Sequence, residues 1–198
     1  MERFFAELDK YNAATQPDTR HHIEEHIWDA FGAVKAPLVL DMSGFSMLTT
    51  RYGILHYLGM VRRLQVALKP IVERTGGQVV KFEADNLFAV YDDVEPAIRA
   101  AIQMNMSLEA MNTMTDDTRD IHVSIGIAYG KMLLIPGKDF YGDPVNLASK
   151  LGEDLASRGE ILVTDAAFQR VRPEAGIQTE RLELSVSGIT IPTHKVKY

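Results

Sequence analysis

Ala36-Pro-Leu-Val-Leu-Asp41 is a short apolar run that ends in an acid. Such a run is typical of a buried β-strand whose C-terminal end meets a site. A carboxylate directly after a buried strand costs free energy unless it is solvated, paired or bound to a metal. The next residues, Met42-Ser-Gly-Phe-Ser-Met47, enter a helix, where free backbone N–H groups suit phosphate oxygens. Asp41 is therefore the first candidate functional residue.

A regular succession of predicted elements follows this strand. Apolar residues at intervals of three and four predict a long helix from about Gly44 to Thr75, and Gly76-Gly77 ends it. The later elements are a hairpin over 78–91, a helix over 94–112, a strand over 121–129, a turn and helix within 140–155, a strand over 160–163, a short helix over 166–171 and two or three edge strands. This order predicts an α+β fold with one mainly antiparallel sheet and helices packed on one face.

Residues 1–34 precede the first strand and are helical in pattern. Apolar residues at helical spacing predict a first helix, and a second runs from about Thr19 to Phe31. Pro17 and Asp18 separate the two. We expect this segment to be an N-terminal extension, and residues 35–198 to form the main domain.

The composition is that of a globular protein, and it restricts the expected partners. Of the 198 residues, 46% are apolar and 24% are charged, with a formal net charge of −6. Because nucleic-acid binding normally needs a concentrated basic surface, we expect no DNA or RNA partner. The absence of cysteine excludes disulfides, thiolate zinc sites and cysteine nucleophiles. No run reaches the roughly 18 apolar residues of a membrane span, and residues 1–12 are too polar for a signal peptide, so a cytoplasmic location is expected.

Two further segments carry residues suited to phosphate chemistry. Asp85 lies at the tip of the predicted hairpin, where an acid by itself is most often a turn former. Together with Asp41 it can hold two divalent cations, the arrangement used for in-line attack at phosphorus. Asn146 and Lys150 are four residues apart on a predicted helix and share a face, where they can orient a ribose and neutralise phosphoryl charge. A pair of this kind standing alone is more often a solvated helix face.

Four segments, taken in order, resemble the catalytic domain of class III adenylyl and guanylyl cyclases. Val39–Ser46 is similar to the family's pattern Asp-x-Ser-Gly-Phe, and Lys81–Asn86 is similar to Lys-x-x-Gly-Asp. Asp139–Lys150 is similar to Asp-x-x-Gly-x-x-Val-Asn-x-Ala-Ser-Arg, and Gly159–Asp165 is similar to Gly-Glu-Ile-x-Val-Ser. The resemblance covers roughly Pro37 to Tyr198. It implies a ferredoxin-like, palm-type βαββαβ core.

The resemblance also implies a metal and phosphate site. Asp41, Asp85 and the backbone carbonyl of Met42 would bind two Mg²⁺ ions, for which Mn²⁺ can substitute. The substrate-binding residues at the start of the following helix would be Ser43, Gly44 and Phe45.

Base selection falls, by the same resemblance, to Lys81 and Asp139. A lysine that donates and a carboxylate that accepts from an exocyclic amine fit adenine, so the expected substrate is ATP. Asn146 would position the ribose, and Lys150 would take the place of the family's transition-state arginine. The resemblance thus implies an adenylyl cyclase that works as a homodimer, with each site shared between two subunits.

Three departures from the family's pattern keep alternatives open. Lys150 replaces arginine, Ala84 replaces the glycine before the second acid, and Leu184-Ser-Val-Ser-Gly188 lacks the lysine that often precedes this glycine. The first two departures motivate a second hypothesis, a degenerate domain that binds nucleotide or a partner and acts as a regulatory module. A guanylyl cyclase is a further alternative. In this family, helices ahead of the domain often transmit a signal, so residues 1–34 are expected to serve dimerisation or an upstream regulatory partner.

Overall fold

The structure is a computed structural model that describes residues 1–186 and 188–198, except for the side chains of residues 45–48, 186 and 189. The helices are α1 (Glu2–Ala13), α2 (Pro17–Phe31), α3 (Phe45–Tyr52), α4 (Ile54–Arg74), α5 (Val94–Asn112), α6 (Asp143–Ser149) and α7 (Asp165–Phe168). The strands are β1 (Gly32–Met42), β2 (Gln78–Glu83), β3 (Asn86–Tyr91), β4 (Val123–Ile127), β5 (Gly130–Ile135), β6 (Asp139–Tyr141), β7 (Ile161–Thr164), β8 (Gln178–Val186) and β9 (Ile189–Lys197). A π-helical turn, Lys150–Leu155, continues α6.

The strands form one sheet in the order β2-β3-β1-β4-β7-β9-β8, with β5 on the first part of β1 and β6 on β5. The pair β4–β7 is parallel, whereas β1 pairs antiparallel with β3, β4 and β5. The predicted α+β fold with a mainly antiparallel sheet is therefore confirmed.

Both faces of the sheet are covered, so the prediction of helices on one face is wrong. Leu38 and Leu40 of β1 face the main core, which includes buried residues of α4 and α5. Val39, between them, faces a second cluster that contains Val145 and Ala148 of α6. Successive side chains of a strand point to opposite faces, so a strand that is apolar at every position must be covered on both.

The predicted elements differ from the structure in several places. β1 begins at Gly32, four residues before the predicted start, because its first residues pair with β5. The predicted helix from Gly44 to Thr75 is broken into α3 and α4 at Gly53, which has a φ of 85°. The predicted strand over 121–129 is the shorter β4, and the hairpin β5–β6 was not anticipated.

Two glycines allow α6 and the π-helical turn to lie directly on the sheet. A Cβ at Gly126 of β4 would come within 2.1 Å of the Ala148 carbonyl oxygen. A Cβ at Gly152 would come within 2.7 Å of the Val39 carbonyl oxygen. Neither position tolerates a side chain without a backbone shift, and this close approach packs the π-helical turn that begins at Lys150 against β1.

The helices α1 and α2 pack on the hairpin β5–β6 through a small core of their own. Phe4, Ile27 and Ile135 are its buried members. Trp28 of α2 lies under the Lys131 ammonium of β5, 4.3 Å from the ring centroid. The N-terminal segment is thus attached to the sheet. No helix in the described part of the chain is long and apolar enough to cross a membrane.

Candidate active site

The two candidate metal acids lie at one end of the sheet, on neighbouring strands. Leu40 of β1 pairs with Leu87 of β3, so Asp41 follows directly at the end of β1 and Asp85 precedes β3 in the hairpin turn. Ala84, the first residue of the two-residue turn, has a φ of 50°. The departure from glycine therefore places a Cβ in a left-handed conformation, which costs roughly 1 kcal/mol. The turn keeps its form in spite of that strain.

Asp41 is half-buried and surrounded by negative charge. Burial, together with the negative charges of Asp85 and Glu153, raises the pKa of its carboxyl to about 6. A hydrogen bond from the backbone of Met42 opposes the shift. Desolvation and like charges both disfavour the ionised form of this carboxyl, and a bound cation would offset both effects.

Three residues around the acids were not anticipated from the sequence. Tyr57 of α4 is 3% exposed. Burial raises the pKa of its hydroxyl, and so do the charge of Asp85 and a hydrogen bond to that carboxylate. Asn86 hydrogen-bonds to Glu153 of the π-helical turn, while its Oδ1 is buried with no partner among the described residues. The acid pair is thus accompanied by a phenol, an amide and a third carboxylate.

These surroundings fit divalent cations that are only partly held by the protein. Among the described residues, no three His, Asp or Glu side chains converge as an all-protein metal cage would require. Mg²⁺ is usually bound by one or two carboxylates, waters and substrate phosphates. Asp41 and Asp85 supply two carboxylates in a region of negative charge. Asn86 adds an amide oxygen that has no partner among the described residues, and this set of groups fits such a partly held ion.

Lys81 and Asp139, predicted to select the base, meet in the structure although 58 positions separate them in the chain. Lys81 Nζ lies 3.3 Å from Asp139 Oδ1. Burial works against the lysine's charge, but hydrogen bonds to Glu83 and Asp139 outweigh it and raise the pKa of the ammonium. The ammonium also lies 4.9 Å from the ring centroid of Phe88, which sequence reasoning missed. The result is a donor and an acceptor above an aromatic surface.

Asn146 and Lys150 lie on successive turns at the end of α6. Val145 and Ala148 are buried against the sheet, which leaves Asn146 exposed and Lys150 half-buried. Lys150 is also the first residue of the π-helical turn, a feature often found at functional sites. No carboxylate of the described residues forms a salt bridge with it, so its charge is available to an anion.

The predicted phosphate-binding residues lie between β1 and α3. The Ser43 N–H is already bonded to the His122 carbonyl oxygen at 2.9 Å. Gly44 caps α3 with a φ of 96°, and the Phe45 side chain lies outside the described residues. Two lysines of β9, Lys195 and Lys197, are paired with Glu160 and Glu180, respectively.

Residues 36–197 match the family model of the adenylate and guanylate cyclase catalytic domain. This match covers most of the chain, and the protein belongs to the adenylate and guanylate cyclase catalytic-domain family. An uncharacterized protein from Mycobacterium tuberculosis is 28% identical over 161 residues, which is 81% of this chain. The chain spans only 40% of that relative's length.

Solved structures of cyclases show the same fold. The adenylate/guanylate cyclase/hydrolase from Silicibacter pomeroyi is 29% identical, with a TM-score of 0.68 over 83% of this chain and 96% of that chain. The adenylyl cyclase CyaB from P. aeruginosa is 18% identical, with a TM-score of 0.72 over 84% of this chain and 96% of that chain. At the latter identity the likeness concerns the fold alone.

Asp41→Asn is expected to stabilise the metal-free protein while removing its response to metal. The folded-state pKa of Asp41, about 6, lies above its ordinary value of 3.8, so ionisation above pH 6 costs folding free energy. At pH 7.5 the variant's free energy of unfolding should exceed that of the wild type by about 1–2 kcal/mol. This is less than the full pKa shift would give, because the Asp41 carboxyl is partly solvated. As the pH falls from 7 to 4, protonation of Asp41 should raise the free energy of unfolding of the wild type, whereas the variant should lack this rise.

Urea titrations at pH 7.5 and pH 5 test this expectation, with and without Mn²⁺. Asp9→Asn, which changes an exposed acid of α1, is the matched control and should change little. A less stable Asp41→Asn protein at pH 7.5, or an equal stabilisation of both proteins by Mn²⁺, would contradict the assignment.

Proposed function

We propose that the chain is an adenylyl cyclase that converts ATP to 3′,5′-cyclic AMP and pyrophosphate. Membership of the cyclase family supports a nucleotide cyclase. The observation that carries the choice of ATP is the pair of Lys81 and Asp139, which presents one donor and one acceptor 3.3 Å apart. Adenine offers the complementary set, an acceptor at N1 and a donor amine at C6.

Asp41 and Asp85 would hold two Mg²⁺ ions, together with the Met42 carbonyl. When bound, such ions favour deprotonation of the ribose 3′-hydroxyl and stabilise charge on the phosphates. The carboxylates' own task is to stay ionised and fixed in place. Tyr57 serves this task, because a buried phenol that hydrogen-bonds to Asp85 restricts the rotation of its carboxylate.

The remaining residues would orient the nucleotide for a single displacement. The 3′-oxygen forms a bond to the α-phosphorus, the bond from that phosphorus to the bridging oxygen breaks, and pyrophosphate leaves as the hydroxyl proton is lost. Lys81 and Asp139 fix the base, and Asn146 fixes the ribose. Lys150 neutralises the charge that develops on the phosphoryl oxygens, a contribution that preorganised cations make in low-dielectric sites.

The active form would be a homodimer with two shared sites. Cyclase domains commonly dimerise, and in this family the acids come from one subunit while the base-selecting and transition-state groups come from the other. One chain that carries both sets can supply both halves of a two-fold symmetric site. The proposal includes Mn²⁺ as a substitute for Mg²⁺, because the acid pair leaves most of the coordination sphere to water and phosphate.

Competition between ATP and GTP tests the proposed substrate. The purified chain is given equimolar ATP and GTP with Mg²⁺, and the cyclic products are separated by mass. We expect at least about tenfold more cyclic AMP than cyclic GMP, because guanine leaves the hydrogen-bonding groups of Lys81 and Asp139 mismatched. Excess cyclic GMP would leave the fold and the acid pair intact but overturn the assignment of these two residues. Binding of nucleotide without product would favour the regulatory module.

A further inference from the structure

An aromatic contact links the N-terminal helices to the base-selecting pair. Phe4 of α1 is 4% exposed and stacks on Tyr141 of β6, with ring centroids 5.7 Å apart and planes within 7° of parallel. Phe31 of α2 packs edge-on against Phe4, with ring centroids 5.2 Å apart. The position of the Tyr141 ring is therefore set by the N-terminal helices as well as by its own strand.

Tyr141 holds one of the two oxygens of Asp139. Its hydroxyl donates a hydrogen bond to Asp139 Oδ2 at 3.1 Å, and the two residues share a face of β6 because they are two positions apart. Asp139 Oδ1 accepts from the Phe140 N–H at 2.9 Å and faces Lys81 at 3.3 Å. Burial and the charge of Asp139 raise the pKa of the Tyr141 hydroxyl, so it stays a donor.

We propose that Tyr141 is a positioning residue that sets the preference of Asp139 for adenine over guanine, and that Phe4 couples the N-terminal helices to this preference. The inference rests on the proposed function. Adenine needs one acceptor, for its C6 amine. Guanine presents two adjacent donors, N1–H and the C2 amine, which a carboxylate binds best with both oxygens free. A carboxylate whose Oδ1 and Oδ2 already accept hydrogen bonds is suited to the first base and poorly suited to the second.

Tyr141→Phe tests the role of the hydroxyl while it keeps the stacked ring. We expect the KM for ATP to rise about fivefold with kcat changed less than twofold, because a hydrogen bond to a charged group is lost at the base and not at the phosphates. The ratio of kcat/KM for GTP to that for ATP should rise about tenfold. Tyr11→Phe, in the same N-terminal cluster, is the matched control and should leave both values unchanged.

Phe4→Leu tests the coupling to the N-terminal helices while it keeps an apolar side chain in the buried position. The GTP-to-ATP ratio should shift in the same direction as in Tyr141→Phe, by about threefold. In the double variant the shift should be no larger than in Tyr141→Phe alone, since both changes act through one hydrogen bond. Phe5→Leu, which alters a 47% exposed neighbour, is its control.

Binding of 3′-deoxy-ATP and 3′-deoxy-GTP, which lack the attacking hydroxyl, provides a readout that needs no turnover. Calorimetry should show the same loss of discrimination in Tyr141→Phe. Unchanged discrimination in both variants, or a fall in kcat at constant KM, would overturn the inference. A wild-type chain that binds both analogues but makes no cyclic product would refute the proposed function and leave the inference to be decided by binding. A wild-type chain that binds neither analogue would overturn both.

Discussion

Asp85→Ala is expected to lower the kcat for cyclic nucleotide formation by at least about 10³-fold. The loss of one of two carboxylates removes a ligand for the ions that stabilise charge at phosphorus, a contribution of several kcal/mol at about 1.4 kcal/mol per tenfold. The variant should fold, because Asp85 lies in a two-residue turn outside the core. Product formation in Mg²⁺ and Mn²⁺ measures the effect. Activity within tenfold of the wild type would show that Asp85 is not a functional residue of the site.

The same variant tests whether the sites are shared. Asp85→Ala and Lys150→Ala chains are each expected to retain at most about 1% of the wild-type kcat, but a mixed dimer would contain one site with every group intact. If the chains assort at random, half of the dimers are mixed, and an equimolar mixture should recover about a quarter of the wild-type activity. Mixing two batches of Asp85→Ala alone is the control. A mixture that stays inactive although the chains exchange would contradict the shared site.

Lys150→Ala is expected to lower kcat about 10²-fold and to change the KM for ATP less than threefold. A preorganised cation at the phosphoryl group acts chiefly in the transition state, so its removal affects kcat more than binding. Lys150→Arg is the matched variant and should retain or exceed wild-type activity, because the guanidinium keeps the charge and adds a planar fork. Steady-state kinetics on both variants give the answer. An equal loss in both would mean that the geometry of the π-helical turn matters and the charge does not.

The C-terminal end of β1, the β2–β3 hairpin and the acid pair were predictable because their signals are local. A five-residue apolar run before Asp41 and a tight turn around Asp85 predict two strand ends, and strand ends on neighbouring strands meet. The left-handed backbone at Ala84 was also foreseeable, since the position normally belongs to glycine. Residues 145–152 could be predicted as a helix, but the π-helical turn at Lys150 could not, because it follows from the close approach of Gly152 to β1.

The contacts that tune the site could not be read from the sequence, because they depend on tertiary packing. The apolar stripe predicted for the long helix includes Leu55 and Leu58, yet they are 81% and 50% exposed. Tyr57 of the same helix is buried instead and hydrogen-bonds to Asp85. Likewise, Tyr141 stacks on Phe4, a residue 137 positions earlier in the chain, and local periodicity does not reveal this contact.

The measurement that tests the central claim most directly is the product of the purified chain with ATP and Mg²⁺ or Mn²⁺, identified by mass spectrometry. We expect cyclic AMP and pyrophosphate in equal amounts, increasing linearly with time, and no product from Asp41→Ala. Failure of the folded wild type to form a cyclic product with either metal, or an equal rate in Asp41→Ala, would contradict the account.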